Sequence, residues 1–512
     1  MSTKPTKNST NLKQEAVKGA LWTAIQNWVS QAGSLVVFFV LARLLQPESF
    51  GLVALANGCL AFMQIFLEQG FAQALIQRKT LEPEHLDTSF WTNVAIGVTG
   101  ASLSFLVADW VAVGFDQPQL APVLRWFSVI FLVISLRGTQ QALLERQFNF
   151  KAIAARTIVG TLVGGIVGIS MALTGWGVWS LVGQQLTSRI LGTLVLWVAS
   201  DWRPRLRFSL SHFKQLFSFG SSLLAVNFIG FFNTRINDFL IGYFLGPVAL
   251  GYYAIAYRVL QVSTQLLVRT TSSVALPAFS RLSHDLPRFR SAFCSVTRLT
   301  SAIAFPIFTG MAVLAPQLVL LLFGQTWQPA VPIIRLLAIS GMVRSISFFK
   351  SSVLIAIGQP IWTVRLKLLS VAINLIGFAI TYRWGLQAVT AAIVIGGLVV
   401  FPVGQWAVSR LIALPLKQYL QQFAMPLLSA IAMIPVMILA QRAVISPVEI
   451  LLLNRQWLSE SGLFDLLSLG VLSSFGAGSY LILIRLLSPQ IFCDFLEIGR
   501  LLLSKKSRKK TV

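Results

Sequence analysis

Acidic residues are scarce in this chain. Its 512 residues hold 17 Asp and Glu against 41 Lys and Arg, a formal net charge of +24. That leaves little material for general acid–base catalysis or carboxylate metal cages. Cysteine is scarcer still. Cys59, Cys294 and Cys493 are scattered without paired spacing, so neither a disulfide nor a metal site is expected from them. The histidines His85, His212 and His284 are far apart in sequence and fall in expected loops, which gives no zinc signature and no expected metal. No Gly-x-x-x-x-Gly-Lys-Ser/Thr sequence occurs, which excludes the phosphate loop of ATP-hydrolysing proteins. Residues 1–17 are polar and basic and the first apolar run is long, which argues against a cleaved signal peptide.

Apolar residues dominate instead: 55% of the chain is hydrophobic, 11% is charged, and the mean hydropathy is +0.74. A soluble protein of this length does not have that balance. About fourteen runs approach the ~20 residues needed to cross a bilayer. They centre in 18–42, 50–68, 89–110, 122–143, 154–174, 177–199, 215–243, 249–275, 295–322, 331–356, 361–381, 385–409, 418–440 and 464–486. Runs so long and uniformly apolar must be helices, so the expected class is an all-α polytopic membrane protein.

Basic residues collect in alternate connections: Arg78 and Lys79, then Arg146 and Lys151, then Arg203, Arg205, Arg207 and Lys214, then Arg281, Arg288 and Arg290. Lys505, Lys506, Arg508, Lys509 and Lys510 close the tail. Positive-inside logic places both termini in the cytoplasm of a multi-pass plasma-membrane protein. Since orientation accounts for the positive charge, no nucleic-acid partner is expected.

An internal repeat is visible. Leu45, Pro47, Gly51, Ala54 and Ala56 recur as Leu245, Pro247, Gly251, Ala254 and Ala256, and Asn27 recurs as Asn227. Pro122 and Arg125 match Pro332 and Arg335, and Trp176-Gly177 matches Trp384-Gly385. An even number of spans per half implies two six-helix bundles related by a pseudo-two-fold along the membrane normal, plus two C-terminal helices. The expected organisation is a cytoplasmic tail at 1–17, bundles at 18–199 and 215–412 joined by a basic linker at 200–214, two further helices at 413–487, and a basic tail at 488–512. Gly160, Gly164 and Gly168, four apart, suit close helix packing and are assigned no ligand.

Residues 227–269 carry the candidate site. They read as two helices reversing at Leu245-Gly246-Pro247. Asn227, Thr234 and Asp238 fall within about 40° of one another on the first helix. Arg258, Gln261, Gln265 and Arg269 share a face of the second. Counting from the turn sets Arg235, Asp238 and Arg258 at nearly one depth. Asp238 is therefore expected between two arginines at a net positive site, because polar stripes in lipid must face protein or water. That site is either a cavity for an anionic substrate or a structural ion pair fixing helix register. The opening hairpin echoes it with Asn27, Gln31 and Ser34 on one helix, and Asn57, Gln64 and Glu68 on the next.

With these features the chain resembles the Wzx-type polysaccharide flippases of the multidrug/oligosaccharidyl-lipid/polysaccharide exporter superfamily. The resemblance rests on Ala16-Val17-Lys18-Gly19 through Leu41-Ala42-Arg43-Leu44-Leu45, Pro47 to Phe50-Gly51, and Asn237-Asp238 to Gly242. It rests also on Leu250-Gly251-Tyr252-Tyr253-Ala254-Ile255-Ala256, and on Leu322-Phe323-Gly324 with Trp327 and Pro329. It implies fourteen helices, alternating access around a cationic cavity, and transfer of an undecaprenyl-diphosphate-linked oligosaccharide for surface polysaccharide such as exopolysaccharide or lipopolysaccharide. Its implied partners are membrane lipids, that lipid-linked oligosaccharide, and a polysaccharide polymerase with its chain-length regulator. Arg235, Asp238 and Arg258 carry over as cavity residues. No cofactor is implied beyond proton or Na⁺ coupling, for which Asp238 and Glu68 are the acids available. Two rivals stand beside this reading. A drug/cation antiporter of the same superfamily would need acids in the cavity. A membrane glycosyltransferase or polymerase would need a catalytic carboxylate, and Glu449, Arg455 and Glu460 in the largest outer loop do not cluster.

Overall fold

The computed structural model describes residues 8–67, 71–78, 81–282, 284–445 and 463–491, and among them there is no strand. The chain divides into two compact units, Met1–Gly251 and Tyr252–Val512. Eleven helical segments of the described residues are long and apolar enough to cross a membrane, and several of these hold more than one helix.

In the first unit the helices are α1 (Asn8–Leu44), α2 (Pro47–Leu67), α3 (Phe71–Gln77), α4 (Pro83–Gly114), α5 (Leu120–Ser135), α6 (Gly138–Arg146), α7 (Phe150–Leu173) and α8 (Val178–Ala199). Next comes α9 (Leu210–Leu282), which crosses into the second unit. Every stretch expected to span is helical. The expected 122–143 run is divided between α5 and α6, and the short α3 lies where only a loop was expected. Asn149 caps α7 by accepting from the Ala152 amide at 3.3 Å.

The expected reversal at 245–247 is present. Inside α9, Gly246 adopts φ 82° and ψ 174°, a conformation that only glycine enters at no steric cost. The arm before that break packs on α2 through small residues. Gly51, Leu55, Gly58 and Phe62 follow a 4-3-4 spacing, one face of a helix. A Cβ on Gly58 would lie 3.1 Å from Phe239, and Gly242 takes the side chain of Leu55. Phe62 meets Phe231 at 5.4 Å between ring centroids.

Two contacts there are reciprocal. A Cβ on Gly51 would overlap the Pro247 carbonyl, and one on Gly251 would overlap the Pro47 carbonyl. These four residues are the repeat pair found in the sequence, here touching each other in self-complementary fashion. On the far side, Gly160, Gly164 and Gly168 let α7 lie against Ser188 and Gln184 of α8, as close packing requires.

The second unit holds α10 (Leu286–Val313), α11 (Ala315–Leu322), α12 (Val331–Ser347), α13 (Lys350–Ala356), α14 (Ile361–Thr381), α15 (Gly385–Leu411), α16 (Leu416–Ala440) and α17 (Leu463–Leu487). Of the described helices, α16 and α17 lie outside the repeat yet are built into this unit's core. Tyr419 of α16 stacks on Phe293 of α10 at 5.6 Å and donates to the Ile346 carbonyl at 3.1 Å. Tyr480 of α17 donates to the Ala302 carbonyl at 2.8 Å. Pro306, four residues on, has no N–H to offer that carbonyl, so the tyrosine replaces the helix bond that proline deletes. Further prolines sit inside α15 (Pro402) and α16 (Pro426, Pro435).

Tyr480→Phe keeps the ring but leaves the Ala302 oxygen unpaired, at an expected cost of about 1–3 kcal/mol. Thermal unfolding of the purified protein in detergent checks this as a lowered midpoint. Gly51→Ala is expected to cost a similar ~1–3 kcal/mol by overpacking against a rigid backbone. Ala54→Gly, on the same helix, provides the control for changed helix propensity.

Candidate functional site

The clearest charged constellation in the first unit lies on the arm of α9 before Gly246. Arg235 and Asp238, one turn apart, form an ion pair at 3.1 Å. The pair is lopsided: the Arg235 side chain is 42% exposed and that of Asp238 only 15%. The carboxylate is thus a buried anchor, and the guanidinium is what the helix presents. Burying a lone carboxylate costs several kcal/mol, so the pairing is what makes Asp238 tolerable there.

The rest of that stripe is less uniform than the sequence suggested. Asn227 is exposed, and Thr234 turns its hydroxyl back to the Gly230 and Phe231 carbonyls. Asn237 holds a buried amide oxygen without a partner. Asn27 and Gln31 are half-buried on α1, where their neighbour Gln26 makes the bond across to Thr157 of α7 at 3.0 Å. Glu68 lies outside the described residues.

In the second unit, Arg258 and Gln261 are half-buried and Gln265 is exposed on the helix after the break. Arg269 is helical, but its side chain lies outside the described residues. Beside them is a cluster that the sequence did not assign. Tyr253 and Tyr257 stack at 5.8 Å, and Arg344 of α12 lies over the Tyr257 ring at 5.3 Å while donating to its hydroxyl at 3.1 Å. The available signal was the i, i+4 tyrosine pair, which Arg344 meets from 87 positions downstream.

Histidine placement corrects another expectation. His85 and His212 are not loop residues but lie in the first turns of α4 and α9, with ring centroids 4.1 Å apart. Glu82 joins them, its carboxylate 3.1 Å from His212 Nε2. Ligand atoms of these three come within 4.8 Å of one another, a spacing able to hold a metal ion. The guanidinium of Arg78, however, contacts His85 Nε2, and a fixed cation there opposes a second one.

That cluster belongs to a clamp on the segment between α8 and α9. Asp87, buried in α4, accepts from the Arg205 amide at 3.0 Å, and Thr88 accepts from the Ser209 amide at 3.1 Å. Trp91 donates to the Arg205 carbonyl at 2.7 Å. A connection read from its arginines as an orientation signal is thus also bonded down along its length.

An all-helical chain with eleven described segments able to span a bilayer, and charged side chains paired on them, is a multi-pass membrane protein of the transporter class. Residues 40–332 match the family described as "Polysaccharide biosynthesis protein", and the chain belongs to that family. It is 27% identical over 430 residues to the teichuronic acid biosynthesis protein TuaB of Bacillus subtilis (strain 168), covering 83% of this chain and 88% of that one. It is 28% identical over 348 residues to the lipopolysaccharide biosynthesis protein WzxC of Escherichia coli (strain K12), covering 68% and 71%. Its fold matches the structure titled "Lipid II flippase MurJ, inward closed conformation" with a TM-score of 0.72 at 17% identity, covering 91% of this chain and 98% of that one.

Asp87→Ala removes an acceptor from the clamp. Loss of a hydrogen bond to a charged group, worth roughly 1.5–3 kcal/mol, should speed local opening about tenfold or more. Limited trypsinolysis after Arg205 and Arg207 measures it, and cleavage at the parent rate would show that the clamp carries no weight.

Proposed function

We propose that this chain is a flippase that moves an undecaprenyl-diphosphate-linked oligosaccharide across the plasma membrane by alternating access, for surface polysaccharide synthesis. The observation that carries the reading is the asymmetry of the Arg235–Asp238 pair. Its acid is covered and its guanidinium is presented, so the site suits an anion. A diphosphate headgroup cannot cross hydrocarbon unaided, and planar guanidinium groups replace its hydration with bidentate bonds. Arg258 is assigned the same role from its place on the helix after Gly246. The lipid tail stays in the bilayer while the sugars pass through the protein.

Both termini are assigned to the cytoplasm, on the basic residues that recur in alternate connections. A proton or Na⁺ drives the cycle in this scheme, with Asp238 as the acid that binds it. No covalent chemistry is required. A polysaccharide polymerase and its chain-length regulator would act on the delivered product. The drug/cation antiporter ranks second, because it needs an exposed carboxylate where this site exposes a guanidinium.

Arg235→Ala and Arg258→Ala should each lower transfer of a lipid-linked oligosaccharide in reconstituted vesicles by roughly 10–100-fold, the scale of one lost charge-assisted bond. Membrane abundance should stay unchanged for Arg258→Ala, and Arg235→Ala is combined with Asp238→Asn so that no unpaired carboxylate is left buried. Parent-level transfer in both variants would remove these arginines from the substrate path. Uptake of organic cations by the parent protein would favour the antiporter.

A further inference from the structure

At one end of the first unit, the connections α1–α2, α4–α5 and α7–α8 gather, because successive long helices run in opposite directions. The basic connections lie at the other end. Between the three gathered connections is a dish of about 380 Å3. Ligand sites run from roughly 300 to 1,000 Å3, so this one suits a short segment of a ligand and not the whole of a large one. Its polar lining comes from Glu48, Ser49 and Gln119, and its apolar walls from Trp176, Trp179 and Pro122.

The indole of Trp176 is presented by a glycine-bounded turn and that of Trp179 by the first turn of α8. Trp176 stands between Gly175 (φ 82°) and Gly177 (φ 53°), and its amide bonds the Met171 carbonyl at 3.1 Å. The Gly177 conformation, φ 53° with ψ −126°, is one that a side chain would forbid. Trp176 is nonetheless 58% exposed, so the turn holds a large apolar ring out from the protein surface. Interfacial anchoring accounts for tryptophans that face lipid. It does not account for two that wall a concavity alongside a carboxylate and a carboxamide.

We propose that this dish is a saccharide subsite for neutral or amino-sugar residues, receiving the oligosaccharide at the outer face. The proposal rests on the flippase reading above. A pyranose ring offers one face lined with C–H groups, whose partial positive charge suits the negative face of an indole. Its rim carries hydroxyls that both donate and accept. Glu48 accepts from them, and the Gln119 amide does both. Among the described residues, the dish lining includes no Arg or Lys. Glu48 therefore favours an ammonium and repels a uronate, which separates this subsite from the guanidinium site that takes the diphosphate.

The test uses the full chain in lipid nanodiscs and saturation-transfer NMR with three probes: cellobiose, a glucosamine disaccharide, and a glucuronate-containing disaccharide. Cellobiose and the glucosamine disaccharide should bind, and the glucuronate compound should not. Trp176→Ala should weaken both by about tenfold, the scale of one lost stacking contact, with Trp176→Phe recovering most of it. Glu48→Gln should weaken the glucosamine compound selectively. Equal signals in the parent and Trp176→Ala, preference for the glucuronate, or no signal from any probe would each overturn the subsite. Transfer of a lipid-linked oligosaccharide is measured on the same preparations. Parent-level transfer without saccharide binding sinks the subsite alone, and Trp176-dependent binding without transfer sinks the flippase reading alone.

Discussion

Two glycines set how this chain is put together. Gly51 and Gly251 each lie where a Cβ would strike the carbonyl of the other repeat's proline, Pro247 and Pro47. Without side chains, the backbones of α2 and the α9 turn come into contact, which small residues permit in a membrane where apolar burial gives no net drive. The rest of that face follows: Leu55 fits over Gly242, Gly58 under Phe239, and Phe62 against Phe231. The ion pair of Arg235 and Asp238 lies on the arm that this contact fixes. Register at one pair of glycines therefore determines where the charged residues of the site come to rest.

Shortage of acid shapes the electrostatics in the same way. Five of the described carboxylates hold something in place: Asp238 holds Arg235, Asp109 holds Arg125, Asp285 caps α10, Glu82 meets His212, and Asp87 fastens the segment before α9. Each restrains a neighbour. Guanidinium groups do similar work on backbone carbonyls, as Arg146 does on Leu75 and Arg290 on Ile412, so the charge imbalance serves packing as well as orientation.

Much of this was legible from residue order, and the reasons are physical. Spans follow from apolar run length, because lipid forces backbone hydrogen bonds inside each segment. The turn at Gly246 follows from Gly-Pro, and the glycines of α7 follow from their spacing of four. Repeat residues gave the correspondence of Pro47 with Pro247 and of Gly51 with Gly251, though not that the glycine of each repeat touches the proline of the other. The misses are pairings across long separations. His85 and His212 are 127 positions apart, and no local pattern says that two helix starts share one corner. Arg344 reaches Tyr257 in the same way, and Asp87 reaches the Arg205 amide. Polar residues inside a helical face could be counted, but which of them turns back on its own backbone, as Thr234 does, depends on neighbours that sequence does not place.

The bond from Tyr480 to the Ala302 carbonyl has a wider consequence. Internal prolines punctuate α10, α15 and α16, whereas α2, α4, α7 and α8 carry none beyond their first turn. Mechanical compliance is therefore unequal along the chain. In the first unit α2, α4, α7 and α8 are unbroken rods while α9 breaks at Gly246, and in α10, α15 and α16 the missing amides leave soft joints. At Pro306 that joint is splinted by a side chain from α17, so an element outside the repeat braces α10 where its amide is missing.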